Sequence, residues 1–527
     1  MTSKVIVGGL AAFLLLTHTP FAGSEKAELS IALESVSPTS DPHIFYSTPS
    51  ADLSAHLYDA LVRRGADYEV IPALAVHWDS DDQKRWRFEL RRDVVFHSGR
   101  ALTPRDVVYS FCRVREMEQG GYRGTVQDIN GIELSGTHGL VIDLARPVPY
   151  LPNLISLVSI IRAPDDWAGA FQNGACGSVP MDAPRVGDAG AFDGTGAFHL
   201  ERFEAGRRYD LARNKDYWGP LPDWKTVSVI SLDQIPEQFR TDSRIRIDVS
   251  NSRSDRVMNN MSSPDMIFVT SRMSRTQAIV MNLKPKRGED GGTTPANPLA
   301  DQRVRRAISL AIDRVMVAQS IDGPAMPSER FAMMLPPTGR IGETETDPAQ
   351  AARLMEEAGY RDGFRVNVET IEAHRRVAET IAESLAVIGI SCEIKVLPIG
   401  DAVTALNQGD FTMMVGAYLP MSGDPLQAAY EILASPDAAR GRGGLNYGGY
   451  SNPAMDQLIE SGMAEQDPAR RADIVRRIYD LASTELSRIP LAVMPRTWVL
   501  RDGLRYEGRA DGMTIARDIR KIEPAGK

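Results

Sequence analysis

Arg440-Gly441-Arg442-Gly443-Gly444 is the stretch of this chain best equipped to hold an anion, because it joins two guanidinium groups to a flexible backbone. A solvated loop is the commoner meaning of such a run. Motifs for bond-making chemistry are missing: there is no HExxH, no GxSxG elbow and no GxxxxGK[ST] phosphate loop. Gly194-Thr195-Gly196 lacks the third glycine and the helix of a dinucleotide turn, so a tight β-turn explains it better. His43, His56, His77, His97, His138, His199 and His374 form no i, i+4 pair and join no cysteine at ligand spacing. Met413-Met414 and Met421 read as core filling before they read as a soft-metal site. The residues favour binding over catalysis, with no cofactor and no dedicated metal cage.

The elements that must position such residues announce themselves by alternation and by caps. Glu28 to Leu33 and Arg85 to Leu90 alternate in the manner of strands, the second with Trp86, Phe88 and Leu90 on one face. Thr103-Pro104 with Asp106, Asp347-Pro348, Asn452-Pro453 and Asp467-Pro468 each open a helix, and Gly359 stops one. Val377 to Ile388 reads as an amphipathic helix and Ser391 to Leu397 as the strand that follows. Helices alternating with strands predict α/β or α+β lobes. Gln172 to Gly194 and Lys284 to Pro298 have loop composition.

At 527 residues the chain calls for two or three domains. A net charge of −9 argues against a nucleic-acid partner and gives no reason to expect binding to anionic lipid. Lys4, the apolar run Val5 to Leu16 and the small residues Ala22, Gly23 and Ser24 predict a cleavable signal peptide over residues 1–24. The run is shorter than the ~20 residues a membrane-spanning helix needs. No cysteine lies at the cleavage region, so a lipoprotein is not expected. Cys112, Cys176 and Cys392 leave an odd count: one disulfide, or three buried thiols.

A series of short patterns then stands in fixed order. Pro72-Ala73-Leu74-Ala75 with Trp78 comes first, then Leu90-Arg91-Arg92-Asp93-Val94-Val95-Phe96-His97-Ser98-Gly99 and Leu102-Thr103-Pro104-Arg105-Asp106-Val107-Val108-Tyr109-Ser110. Gly194-Thr195-Gly196-Ala197-Phe198 leads into Arg213-Asn214-Lys215-Asp216-Tyr217-Trp218-Gly219. Asp301-Gln302-Arg303-Val304-Arg305-Arg306-Ala307-Ile308, Ala311-Ile312-Asp313-Arg314 and Glu357-Ala358-Gly359-Tyr360 complete it. Together they resemble the peptide/nickel-type (family 5) solute-binding proteins of bacterial ABC importers, from about residue 28 to residue 500.

The resemblance implies a two-lobed, periplasmic-binding-protein-like fold with an inserted subdomain and a hinge. Residues 25–42, 188–270 and 490–527 would build the first lobe, 43–187 the inserted subdomain and 271–489 the second lobe. Cys112 and Cys176 then share a lobe, where they can pair. The implied function is capture of a small polar solute, peptide or peptide-like and carrying a carboxylate, by a periplasmic monomer that delivers it to a membrane permease. A metal chelate, an opine or a modified sugar is the alternative cargo, and a chaperone or sensory receptor the alternative role.

In this family the segment beside the cleft often reads Gly-Trp followed by an aspartate that pairs with a peptide's amino group. Here it reads Gly416-Ala417-Tyr418-Leu419-Pro420-Met421-Ser422-Gly423-Asp424-Pro425, with the tryptophan and that aspartate replaced. Ordinary peptide binding is therefore in doubt. Tyr418 stands either as a cleft wall or as a strand residue facing the core. Tyr46, Met421, Arg442, Asn446, Tyr447 and Trp498 complete the candidate ligand contacts, with Arg442 as the fork for a carboxylate.

Overall fold

The computed structural model of the chain describes residues 27–44, 47–117, 122–234, 247–251, 266–284, 297–321, 323–331, 345–419, 422–437 and 442–522. Tyr46 and Met421 lie outside them, as do the signal region and most of the 284–298 loop. No helix among the described residues is long and apolar enough to cross a membrane.

The caps read from sequence close the helices as local chemistry dictates. Asp106 Oδ2 accepts the Thr103 backbone N–H at 2.9 Å, so helix Pro104–Glu116 begins with a capping box. Asp347 accepts from the Gln350 N–H, Asn452 from Ala454, and Asp467 from Arg470, each opening a helix whose first residue is proline. Gly359 takes φ +87° at the end of its helix, a conformation that a side chain would strain. Helix Arg375–Ala386 and strand Ile390–Val396 fall within two residues of expectation.

Eleven strands make one sheet among the described residues. Its path runs Phe198–Glu204, Arg208–Arg213, Thr226–Ser231, Glu28–Leu33, Val249–Ser250, Arg488–Arg501, Met266–Met281, Met413–Tyr418, Phe364–Thr370 and Ile390–Val396, with Met326–Pro327 pairing off this path. Two long antiparallel strands, Met266–Met281 and Arg488–Arg501, stand at the middle and belong to both halves. Leu500 pairs with Val249 of the first half, whereas Thr276 to Met281 pair with Met413 to Tyr418 of the second. Their ladder slips between Thr270 and Ser274, where Ser274 faces Pro495, and again between Gln277 and Ala278, opposite Pro490. Proline donates no N–H, so the ladder is weakest where the halves meet. Residues 271 and 490, the expected lobe borders, both fall inside these continuous strands.

A separate four-stranded antiparallel sheet, Ala75–Asp79, Arg85–Leu90, Gly139–Leu144 and Ile129–Ser135, lies within residues 43–187, the expected inserted subdomain. Cys112 and Cys176 form a disulfide that ties helix Pro104–Glu116 to the 172–194 segment, while Cys392 remains a half-buried thiol. One core centres on Leu29, Phe88, Tyr109, Phe198, Trp224 and Trp498, the other on Ile279, Ile308, Ile381, Met413 and Ile489. Helices Pro425–Ile432, Pro453–Ala464 and Pro468–Glu485 join the first core through Leu426, Tyr430, Ile459 and Tyr479. Apolar packing thus crosses the gap that the sequence places between the lobes.

Candidate functional site

Where the ladder slips, residues from both halves enclose a small pocket. Thr48 begins the helix Thr48–Leu57, Arg275 follows the slip, Met494 and Arg496 flank Pro495, and Leu419 extends strand Met413–Tyr418. The turn Ala510-Asp511-Gly512 closes it from the C-terminal tail. The space is about 10 Å³, too small for a solute in this arrangement.

Its charges are held by specific bonds. Arg496 Nη1 donates to the Gly512 carbonyl at 3.0 Å, and Nη2 approaches Glu34 Oε2 at 3.4 Å. Gly512 has φ +71°, and an added Cβ would come within 3.2 Å of the Arg496 side chain, so glycine allows this approach. Asp511 accepts from Arg509 Nε at 3.0 Å and Nη2 at 2.6 Å, and Arg64 stands 3.7 Å away. Burial alone would raise the Asp511 carboxyl, but those two guanidiniums hold it below its ordinary range. Burial pushes neighbouring Asp52 up to about 7, although the Thr514 N–H donates to it at 2.8 Å.

Further contacts join Tyr68, Arg146 and Asn153 to the 422–430 segment. Asn153 Nδ2 donates to the Ser422 carbonyl at 3.3 Å. Arg146, forked onto Asp128 at 2.9 and 2.7 Å, lies 4.5 Å over the Tyr430 ring. Gly423, at φ +75°, presses on the Tyr68 ring so closely that no Cβ would fit.

The candidates read from sequence are dispersed. Leu419 lines the pocket, but the Tyr418 hydroxyl turns away and donates to Glu431 Oε2 at 3.3 Å. Gln427 Nε2 donates to the other Glu431 oxygen, and burial pushes that carboxyl up to about 7. Tyr447 lies near Glu431 and Arg488, and Arg488, lowered by burial, donates to the Leu445 carbonyl. The structure therefore brings Tyr418 and Tyr447 together, in a buried polar cluster beside the pocket.

Arg442 is engaged within its own half: Nη1 donates to Glu460 at 3.0 Å, Nε to the Ser435 carbonyl at 3.1 Å, and Asp456 lies at 3.6 Å. Asn446 staples a turn, donating to the Ala434 and Tyr450 carbonyls and accepting the Tyr450 N–H. Trp498 is fully buried, its indole N–H donating to Thr514 Oγ1 at 2.9 Å. His43, weighed as a cleft residue, is buried between the Ser159 carbonyl and Arg113. Arg275, Arg496 and Asp511 escaped sequence reading because they sit on a strand and a tail turn without a motif.

A larger cavity of about 690 Å³ lies on the second half alone, beside Glu369, Lys395 and Asp401. Among the described residues its lining comes from the second half alone.

The sequence model of the bacterial extracellular solute-binding proteins, family 5 (middle region), matches residues 69–440. The chain belongs to this family. The dipeptide-binding protein of Escherichia coli K12 is 24% identical over 510 residues, covering 89% of this chain and 90% of that protein. The ABC transporter-associated periplasmic binding protein DppA of Helicobacter pylori, in complex with the peptide STSA, superposes with a TM-score of 0.74 at 21% identity. That match covers 94% of this chain and 98% of the other. AgaA of A. tumefaciens R10, in complex with agropinic acid, gives 0.74 at 19% identity, covering 94% and 99%. The α/β architecture is thus the two-lobed fold of periplasmic binding proteins, and this family 5 member is a solute-binding protein.

Proposed function

We propose that this family 5 protein is the periplasmic receptor of an ABC importer. It captures a small carboxylate-bearing, peptide-like solute between its lobes and hands it to an inner-membrane permease. Residues 1–24 direct export as a cleaved signal, and the mature chain works as a monomer without a lipid anchor. The observation that carries this reading is a pocket lined by both lobes and both hinge strands, with Arg275 and Arg496 on its wall. Two guanidiniums there suit a carboxylate, which Arg binds with a planar fork. Solute stabilises closure only through its greater affinity for the closed state.

Ala417 and the Pro420-Met421 pair favour a second cargo, an opine-like amino acid conjugate, since the family's amine-pairing aspartate is replaced there and the remaining Asp424 caps the next helix and pairs with Arg471. Both cargoes bear carboxylates and share the arginine wall. A native mass spectrum of the protein taken gently from its own periplasm distinguishes them: an excess mass over the denatured chain identifies the solute. With that solute, Arg275→Gln should weaken binding at least tenfold, or about 1.4 kcal/mol. Unchanged affinity would remove the hinge pocket from the site.

A further inference from the structure

A further cavity, of about 80 Å³, shares helix Thr48–Leu57 and the C-terminal tail with the interlobe pocket and is also lined by strand Val62–Arg64 and the Tyr122 and Ser156–Ser159 segments. Arg63, Arg64, Arg509 and Arg517 all line it, with Asp59 as the one carboxylate among the lining residues. It is far smaller than the ~300 Å³ at the low end of ordinary ligand pockets. The interlobe pocket shares none of its lining residues.

The partners of these charges are unequal. Arg509 forks onto Asp511, and Arg64 leans on the same carboxylate. Asp59 is well supplied: Thr195 Oγ1 donates at 3.0 Å, Trp218 Nε1 at 2.9 Å and the Tyr217 hydroxyl at 3.3 Å. Arg517 reaches Asp59 at 3.5 Å, the Tyr217 oxygen at 3.3 Å and the half-exposed Asp518 at 3.8 Å. The Arg63 side chain makes no hydrogen bond or ion pair among the described residues, and its Nε is buried without an acceptor. Arg63 is half-buried, and a buried guanidinium N–H without an acceptor carries a desolvation penalty that a bound acceptor would relieve.

We propose that this cavity is a second binding site, for a small oxyanion such as phosphate or sulfate, held by the Arg63 fork with Arg517 beside it. An oxyanion accepts two parallel N–H bonds from one guanidinium, and a tetrahedral one keeps oxygens for a second. Burial, and then the nearby Arg517 charge, draw Arg63 below its ordinary range, a penalty that a bound anion reverses. The site differs from the solute pocket in place and in size, so it does not depend on what the cleft carries.

The test titrates the full mature chain with inorganic phosphate against chloride at constant ionic strength and reads the melting temperature. The wild type should show a saturable rise. Arg63→Gln should need at least tenfold more phosphate for half of that rise, while Arg275→Gln, altered only in the interlobe pocket, should respond like the wild type. In phosphate-free buffer Arg63→Gln should melt no lower than the wild type, because the side chain makes no hydrogen bond or ion pair for the substitution to break. If Arg63→Gln does not fold, Arg63→Lys keeps the charge without the fork and should show the same tenfold loss. No saturable rise, an equal rise in the Arg63 variants, or loss of the rise in Arg275→Gln would overturn the proposal. A melting point lowered equally with and without phosphate would assign Arg63 a packing role and overturn it as well.

Discussion

Asp511, in the wall of the interlobe pocket, and Glu431, bonded to Tyr418, are both enclosed carboxylates, and their surroundings shift them in opposite directions. Asp511 receives the full fork of Arg509 and a second guanidinium from Arg64, so its charge persists despite burial. Glu431 meets a phenol and an amide, Tyr418 and Gln427, and burial pushes it up to about 7. Arg488, near Tyr418 and Tyr447, donates from Nη2 to the Leu445 carbonyl. Enclosure alone therefore does not decide ionisation. A guanidinium in direct two-point contact does, because it returns what desolvation removes.

The largest effect should come from breaking the paired side. Arg509→Ala leaves Asp511 buried without its fork, and urea unfolding at neutral pH should show a loss of about 3–5 kcal/mol. A loss below about 1 kcal/mol, the ordinary worth of an exposed pair, would place the pair in screened solvent and dissolve the contrast.

An intermediate effect separates the two acids by pH. Glu431 has its folded value raised, so between its ordinary 4.5 and about 7 the native state keeps a proton that the unfolded chain releases. Its contribution to stability is present below that window and lost as pH rises through it. Asp511 runs the other way: its contribution is present above its ordinary value and lost as pH falls through its lowered one. Asp52, also raised to about 7 by burial, adds a slope of the same sign as Glu431 in every variant, so it cancels in a difference. Glu431→Gln should therefore gain on the wild type between about pH 5 and pH 8, by on the order of 1–3 kcal/mol. A pH-independent difference would show that Glu431 is ionised throughout.

The smallest effect sharpens the unpaired side. Tyr418→Phe removes one hydrogen bond, worth about 1 kcal/mol, and should raise the Glu431 midpoint further, because that bond favours the ionised carboxylate. Solute affinity should stay within about twofold, or ~0.4 kcal/mol, since the hydroxyl points away from the pocket. A tenfold loss of affinity with an unchanged melting temperature would return Tyr418 to the cleft wall.

Local chemistry was readable in the chain. Thr103, Asp347, Asn452 and Asp467 act on N–H groups within three residues of themselves, so their spacing to proline marked helix starts without knowledge of the rest. The hinge strands were not readable as crossing elements. Met266–Met281 and Arg488–Arg501 pair across more than two hundred residues of sequence, and nothing in either half shows that it continues into the other lobe. Arg442 looked available because glycines flank it, yet Glu460 and Asp456 come from the following helix to occupy it. Trp498 is an aromatic of the kind that lines ligand sites, and only folding covers both faces of its strand.

The ordered motifs, the export-like N-terminus and the charge balance are properties of the chain read in one dimension, and they were enough for the family and the two-lobed α/β fold. Which cysteines pair, which arginines are already answered and which acids keep a proton depended on neighbours far away in sequence. Ionisation and bonding are settled by atoms within a few ångströms, and only folding brings Arg63 to the tail, Arg496 to Gly512 and Glu431 under Tyr418.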